Sequence, residues 1–374
     1  MSSATFMLAD YIESAKETDK FSQSAIQPIL LGLFGEVGGV MSAAKKHKRE
    51  GEAYTSYRQA VEEEFGDTLW YFTALCARLN ARVDNILSLA SNNGKYSTND
   101  LPSGAISQVS SVLELPQLDD TLLTLGRAAA DMLSISTTQP DVEARLVAFA
   151  DAYLHALQAA HLSFAEVVRS NLAKVRGRFL VPDASRLPTF DDKFPEEERL
   201  PADFEIVIRE RKNGQSCLQL NGVFIGDPLT DNIRDPDGYR FHDVFHFSHA
   251  AVLHWSPTFR ALIKHKRKSD PAVDESQDSG RAIVIEEGLS ALVFSHAKLL
   301  NFFQGQKGVS FDLLKTVNQF VDGYEVEACP LKLWEDAILQ GYSVFRQVRA
   351  NSGGIIIGNR GSRRIMYKPL LEKT

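Results

Sequence analysis

The sequence predicts an all-α N-terminal region, built as a tandem helical bundle, followed by an α+β C-terminal domain. Three observations lead there. Apolar residues recur at helical spacing over most of residues 1–180, as at Leu30, Leu33, Val37, Val40 and Ala44, and again at Val61, Phe65, Leu69, Phe72, Cys76 and Leu79. The stretch "LVPDASRLPTFDDKFPEEERLPAD" then breaks that pattern with four prolines and many charges. Beyond it, "FEIVIRERKNGQSCLQLNGVFIGD" alternates apolar and polar residues around Asn213-Gly214, which signals a hairpin.

In chain order, the first helical run contains Glu36 within "LLGLFGEVGGVMSA", and the basic, turn-like "KKHKREGEAYTS" follows it. The next run, "AVEEEFGDTLWYF", sets Glu62, Glu63, Glu64 and Asp67 beside Leu69, Trp70, Tyr71 and Phe72. A polar break at "SNNGKYSTNDLPSG" precedes a second set of periodic segments. These echo the first: "LLTLGRAAADMLS" answers "LLGLFGEVGGVMSA", and "AFADAYLHAL" answers "EFGDTLWYFTAL". Gly126 stands at Gly35 and Asp151 at Asp67, but Arg127 replaces Glu36 and Ala148 replaces Glu64. The pattern reads as a duplicated helical hairpin whose second copy keeps its core and loses its acids. The expected organisation is therefore 1–100 as the acidic half, 101–182 as the degenerate half, 183–203 as a linker and 204–374 as the α+β domain. Helical pattern returns there at "YRFHDVFHFSHAAVLHW", "EEGLSALVFSHAKLLNFF" and from about Phe311 to Arg349, and "GGIIIGNRGSRRIMYKP" reads as a closing strand pair.

At 44% apolar residues, the 374-residue chain can build sizeable cores, which excludes wholesale disorder. A net charge of −7 argues against a surface coated uniformly for nucleic acid. The three cysteines, Cys76, Cys217 and Cys329, are widely spaced and form no CxxC pair, which fits a reducing cytoplasm. The N-terminal stretch has neither the basic nor the apolar part of a signal peptide, and no unbroken apolar run approaches ~18 residues, so no membrane association is expected.

Carboxylates set in an apolar helical pattern are costly unless compensated, and a cation is the natural compensator. Glu64 and Asp67 share a helical face, and Glu36 lies between the inward positions Leu33 and Val40. If the two helices pack antiparallel, three carboxylates converge, and an oxygen-only donor set suits Mg²⁺ or Mn²⁺. Such an ion suits a polyphosphate substrate, whose charge it screens.

At these residues the chain resembles the MazG-like family of all-α nucleoside triphosphate pyrophosphohydrolases. That family carries ExxE on one helix and ExxD on a later one, often as "GELGE" and "EELGDVLWYL"; here the matches are "GEVGG" and "EEFGDTLWYF". The resemblance covers about residues 24–180. It implies Mg²⁺-dependent hydrolysis of nucleoside triphosphates to monophosphate and pyrophosphate. It also implies metal ligation by Glu36, Glu64 and Asp67, with Glu63 as a further acid, and a catalytic role for the first three. Lys45, Trp70 and Tyr71 would contact the nucleotide. So would Asn171, Lys174 and Arg178 of "FAEVVRSNLAKVRGRF", which is similar to the family's C-terminal helix. The fourth family carboxylate is Gly39 here, which removes one charge from the site. Cores of this family associate so that one chain completes another's site. The tandem copy would supply that partner internally, and homo-oligomers remain open.

Six of the nine histidines fall between 242 and 296. "HDVFHFSH" places His242, His246 and His249 at i, i+4 and i+7, and its HDxxH pattern is similar to the HExxH zinc helix, with Asp243 in the base position. Glu286 or Glu287, with His296 further on, would complete a Zn²⁺ or other transition-metal site. The plainer reading is a histidine-bearing helix satisfied by hydrogen bonds and aromatic packing. Lys264, Lys266, Arg267 and Lys268, and Arg360, Arg363 and Arg364, form two basic runs able to hold phosphates or a nucleic-acid backbone. This half also resembles the C-terminal extension of some bacterial MazG-like proteins. Two functional readings follow. One is a nucleotide pyrophosphohydrolase with an accessory domain. The other is a weakened nucleotide sensor whose C-terminal domain is a metal-dependent or nucleic-acid-binding effector in a defence setting.

Overall fold

A computed structural model describes residues 8–91, 117–136 and 139–370. The polar break expected near 92–104 lies outside them. Contacts divide the chain into two compact units, Met1–Leu180 and Val181–Thr374.

The first unit is helical throughout: α1 (Leu8–Thr18), α2 (Gln27–Glu50), α3 (Tyr57–Arg78), α4 (Val83–Ser91), α5 (Leu118–Met132), α6 (Val142–Ala159) and α7 (Phe164–Phe179). Pro28 in its first turn suits the start of α2; His47, Lys48 and Arg49 in its last turn complement the helix dipole, and Gly51 ends it with φ +56°. The chain then turns back through a short 3₁₀ segment (Gly51–Ala53), and α3 packs along α2. The second hairpin, α5 with α6, joins the same core: Phe72 of α3 stacks on Phe149 of α6 at 4.9 Å, and the Tyr153 hydroxyl donates to the Phe65 carbonyl at 3.0 Å. The segment Gln27–Ala53 has the length and composition of a membrane-spanning helix, which the search for unbroken apolar runs did not anticipate. Its Leu30, Leu33, Val37 and Val40 stripe is nevertheless buried in the bundle core.

The second unit is α+β. Five strands, β1 (Asp203–Glu210), β2 (Ser216–Leu220), β3 (Val223–Leu229), β4 (Gly353–Asn359) and β5 (Arg364–Lys368), form an antiparallel sheet in the order β3-β2-β1-β4-β5. The expected hairpin at Asn213-Gly214 joins β1 to β2, and β4 with β5 is the closing pair. A second Asn-Gly, Asn221-Gly222, has both residues at positive φ and turns β2 into β3. Phe204, Ile206 and Ile208 of β1 face the core. The helices are α8 (Asp243–Ser248), α9 (Pro257–Ile263), α10 (Pro271–Gln277), α11 (Gly280–Lys298), α12 (Phe311–Phe320) and α13 (Leu331–Ala350). A π-helical turn, His249–Leu253, continues α8, and α13 packs against both β4 and β5.

The segment read as a linker contributes to this unit's interior. Asp191 is 0% exposed, and its carboxylate pairs with Arg260 and Arg360, each at 2.7 Å. Its prolines at 188, 195 and 201 break helix without freeing the chain. The basic runs are likewise turned partly inward. Arg267 is buried between Asp278 and Glu325, and Arg363 donates to the carbonyls of Val252 and Pro188. Lys264, Lys268 and Arg364 are the exposed members.

His254 gives this unit a pH dependence. Its Nε2–H donates to the Arg360 carbonyl at 2.9 Å, while its buried Nδ1 has no hydrogen-bond partner. Burial, then the charges of Arg363 and Arg360, push its pKa down to about 4. Below its ordinary pKa of about 6.5 the unfolded chain takes up a proton that the folded ring refuses. Stability is therefore unaffected above that pH and falls by up to ~3 kcal/mol as pH drops toward 4. Denaturant midpoints measured across this window will show the slope, and His254→Gln will flatten it.

Candidate functional site

In the first unit the acids of α2 and α3 meet a polar face of α7. Asn171 Nδ2 donates to Asp67 Oδ1 at 2.8 Å. Lys174 Nζ pairs with Glu63 Oε1 at 2.8 Å and closely with Asp67 Oδ2. The buried Tyr11 hydroxyl donates to Asn171 Oδ1 at 3.0 Å, so a chain of hydrogen bonds from α1 through α7 fixes Asp67 on α3. Gly66 lets α7 approach: a Cβ there would stand 2.7 Å from that of Asn171.

The acids carry more negative charge than their neighbours neutralise. Burial, the charge of Asp67 and a hydrogen bond with Glu64 raise the Glu36 carboxyl to about 8, with Lys174 opposing. Burial also raises Glu64 and Asp67; for Asp67, Lys174 is the main counterweight. The protonated form of Glu36 is thus favoured at neutral pH, with Glu64 as its hydrogen-bonding neighbour. A cluster that retains a proton between two carboxylates is one that a cation would stabilise by displacing that proton. The oxygen-only donors fit Mg²⁺ or Mn²⁺. The tightest groupings of metal-type donors among the described residues lie in the second unit, described below, and not here.

Two glycines of α2 seat this cluster. A Cβ on Gly39 would fall 2.1 Å from Glu64 Oε2, and one on Gly32 would fall 2.1 Å from the Tyr71 ring. The position where the family has its fourth carboxylate is thus where Glu64 rests. Tyr71 stands half-buried beside the acids, whereas Trp70 is 8% exposed with its indole N–H donating to Thr18 Oγ1 at 3.0 Å. Trp70 is a core residue and presents no face for stacking a base. Lys45 is exposed, and Arg178 lies over the Phe179 ring at 5.5 Å. Tyr11 and the seating role of Gly32 and Gly39 escaped the sequence reading. Interior helix glycines, each costing ~1 kcal/mol against alanine, were the available signal. Gly39→Ala will raise thermal stability by that order and displace the Glu64 carboxylate. Turnover assays will show a loss of about 10–100-fold if Glu64 must stay where it is.

In the second unit His242, His246 and His249 meet Glu286 and Glu287 of α11. His246 Nδ1 is 3.1 Å from Glu286 Oε1, and its Nε2 is 3.3 Å from Glu287 Oε1. His242 Nε2 is 3.2 Å from Glu287 Oε2, and His242 Nδ1 lies 2.9 Å from the Tyr239 carbonyl. Glu286 is fully buried and accepts from His249 Nδ1, Ser256 Oγ and the Thr258 amide at 2.9–3.0 Å. Burial alone would raise Glu286, but the imidazoles of His246 and His249 hold it down at about 2. For His246, burial is outweighed by the two glutamates and the ring pKa rises. His296 is ten residues beyond Glu286 on α11, about 15 Å along the axis, and takes no part.

No curated protein and no solved structure matches the chain. One family model, the MazG C-terminal domain, matches residues 185–371, which takes in the Asp191 segment, the whole sheet and the histidine cluster. Half of the 374 residues fall within that match, and the chain belongs to the MazG C-terminal domain family.

Proposed function

We propose that the first unit is a divalent-cation-dependent nucleotide pyrophosphohydrolase, which converts a nucleoside triphosphate and water to the monophosphate and pyrophosphate. Family membership supports a MazG-related role in nucleotide processing. The observation that carries the finer reading is the half-buried acid cluster on α2 and α3, in which the Glu36 carboxyl is raised to about 8 and a lysine ammonium stands at the edge. Glu36, Glu64 and Asp67 would hold the cation, with Glu63 beside them. When bound, Mg²⁺ screens phosphate charge and acidifies water. Asn171, locked by Tyr11, keeps Asp67 aimed. Lys174, freed from part of its duty to Asp67, offers its charge to a phosphate oxygen. A carboxylate of the Glu36–Glu64 pair, its affinity for protons raised by burial and neighbouring acids, would accept the proton released by the attacking water. Tyr71, resting over Gly32 and feeling the charges of Glu36 and Asp67, would offer an aromatic face beside these acids. The test is pyrophosphate release by the full chain from a panel of NTPs and dNTPs, with Mg²⁺ and with chelator. Release only with the cation is expected.

A second reading, nucleotide sensing without turnover, is favoured by Lys174, which neutralises Glu63 and Asp67 within the protein itself. Saturable nucleotide binding with no pyrophosphate from any substrate would select it.

A further inference from the structure

The histidine cluster holds several donors that its own hydrogen bonds leave unsatisfied. Neither ring nitrogen of the fully buried His246 makes a hydrogen bond of acceptable geometry, although carboxylate oxygens stand within 3.1 and 3.3 Å. Asp243 is 5% exposed, and its Oδ2 is buried without a partner. One donor atom from each of His242, Asp243 and His246 lies within 4.8 Å of the others. Buried polar atoms normally find partners, so this concentration of orphans needs an explanation.

We propose that the second unit binds one divalent transition-metal ion through Nε2 of His242, Nε2 of His246 and the carboxylates of Glu287 and Asp243. Tautomers support this assignment. His242 turns Nδ1 to the Tyr239 carbonyl, which only accepts, so the ring proton sits on Nδ1 and the Nε2 lone pair is free. His246 faces Glu286 through Nδ1 and Glu287 through Nε2, so a metal on Nε2 would leave an Nδ1 proton to donate to Glu286. The two Nε2 atoms flank the two oxygens of one carboxylate, at 3.2 and 3.3 Å. Ligands about 2.1 Å from a tetrahedral ion stand about 3.4 Å apart, and these separations are of that size.

The second carboxylate of the Glu286-Glu287 pair has a different task. Glu286 is already satisfied by His249, Ser256 and the Thr258 amide, and its remaining approach is to His246 Nδ1. It is the positioning residue, the outer carboxylate that orients a ligand imidazole. Two imidazoles with two carboxylates favour Zn²⁺, Fe²⁺ or Mn²⁺ over the all-oxygen sites of Mg²⁺ or Ca²⁺. The π-helical turn that follows α8 is a feature often found at functional sites. Glu287 is 38% exposed, so the ion would meet solvent on that side.

This proposal does not rest on nucleotide hydrolysis, and its test keeps the two apart. Full-length protein carrying Glu64→Gln and Asp67→Asn is stripped with chelator and titrated with Co²⁺ alone, followed by visible absorption and elemental analysis. One equivalent with the ligand-field bands of a nitrogen–oxygen site is expected, displaced by Zn²⁺. Glu287→Gln, on the solvent side and nearly isosteric, will lose that binding; Glu286→Gln will weaken it about 10–100-fold, and His296→Ala will leave it intact. Absence of stoichiometric Co²⁺, or wild-type binding by a folded Glu287→Gln variant, overturns the proposal.

Discussion

Glu64→Gln and Asp67→Asn are each expected to abolish the proposed cation-dependent pyrophosphate release, lowering kcat by at least about 10²–10³-fold, the scale on which a single charge-stabilising group acts. Both substitutions keep shape and remove charge. Both residues lie on α3, whose core face is formed by Val61, Phe65, Leu69 and Phe72, so the helix stays folded. The stability of the cation-free protein should even rise for Glu64→Gln, because burial and neighbouring acids disfavour the charged form it removes. Asp67→Asn has the opposite tendency, since the Lys174 ammonium loses its close partner. The pair thus separates folding from function: stabilities move apart while activities fall together. Wild-type turnover in both variants would remove the acid cluster from the mechanism. Glu63→Gln should cost less, because Glu63 is bound to Lys174 and lies about 100° around the helix from Glu64.

Much of this was legible in the sequence because helices and hairpins are written locally. The 3.6-residue apolar stripe gave α2 and α3, the i, i+3 spacing put Glu64 and Asp67 on one face, and Asn-Gly marked the turn between β1 and β2. Failures came where long-range packing decides. Trp70 reads like a stacking residue, but only the fold reveals that its N–H is committed to Thr18, 52 residues away. Tyr11 carries no motif and reaches Asn171 across 160 residues. His242 and His246 were visible as i, i+4, yet which of two adjacent glutamates faces the Nε2 atoms depends on how α11 is rotated. Adjacent residues on a helix differ by about 100°, so Glu286 turns into the core while Glu287 turns to solvent. The arginines of the basic runs were expected to be able to hold phosphates or a nucleic-acid backbone. Arg267 and Arg360 instead close buried ion pairs with acids 11 and 169 residues away.

The largest stability effect is expected at Asp191, in the segment whose prolines and charges suggest a linker. Asp191→Asn removes the carboxylate that pairs with Arg360 and with Arg260, each at 2.7 Å and both buried. Its Oδ2 also accepts from the Leu200 amide at 2.8 Å, so the same side chain closes the segment on itself. Burial raises the Asp191 carboxyl, but the two guanidiniums more than offset this and its pKa is lowered. Breaking such a pair from one side leaves cations without water or counter-charge and costs about 3–5 kcal/mol. Arg260 retains Asp278 at 3.8 Å, which limits the loss on that side, whereas Arg360 retains the Leu200 carbonyl alone. The denaturant midpoint of Asp191→Asn should therefore fall by an amount equivalent to at least about 3 kcal/mol, with the slope unchanged. A fragment beginning at 203 lacks Asp191 and should fail to fold, while one beginning at 181 should give a cooperative transition. A loss below about 1 kcal/mol, the range of an exposed ion pair, would return 183–203 to the status of a linker. The expected outcome instead makes this segment the first structural element of the C-terminal domain, within the family match that starts at residue 185.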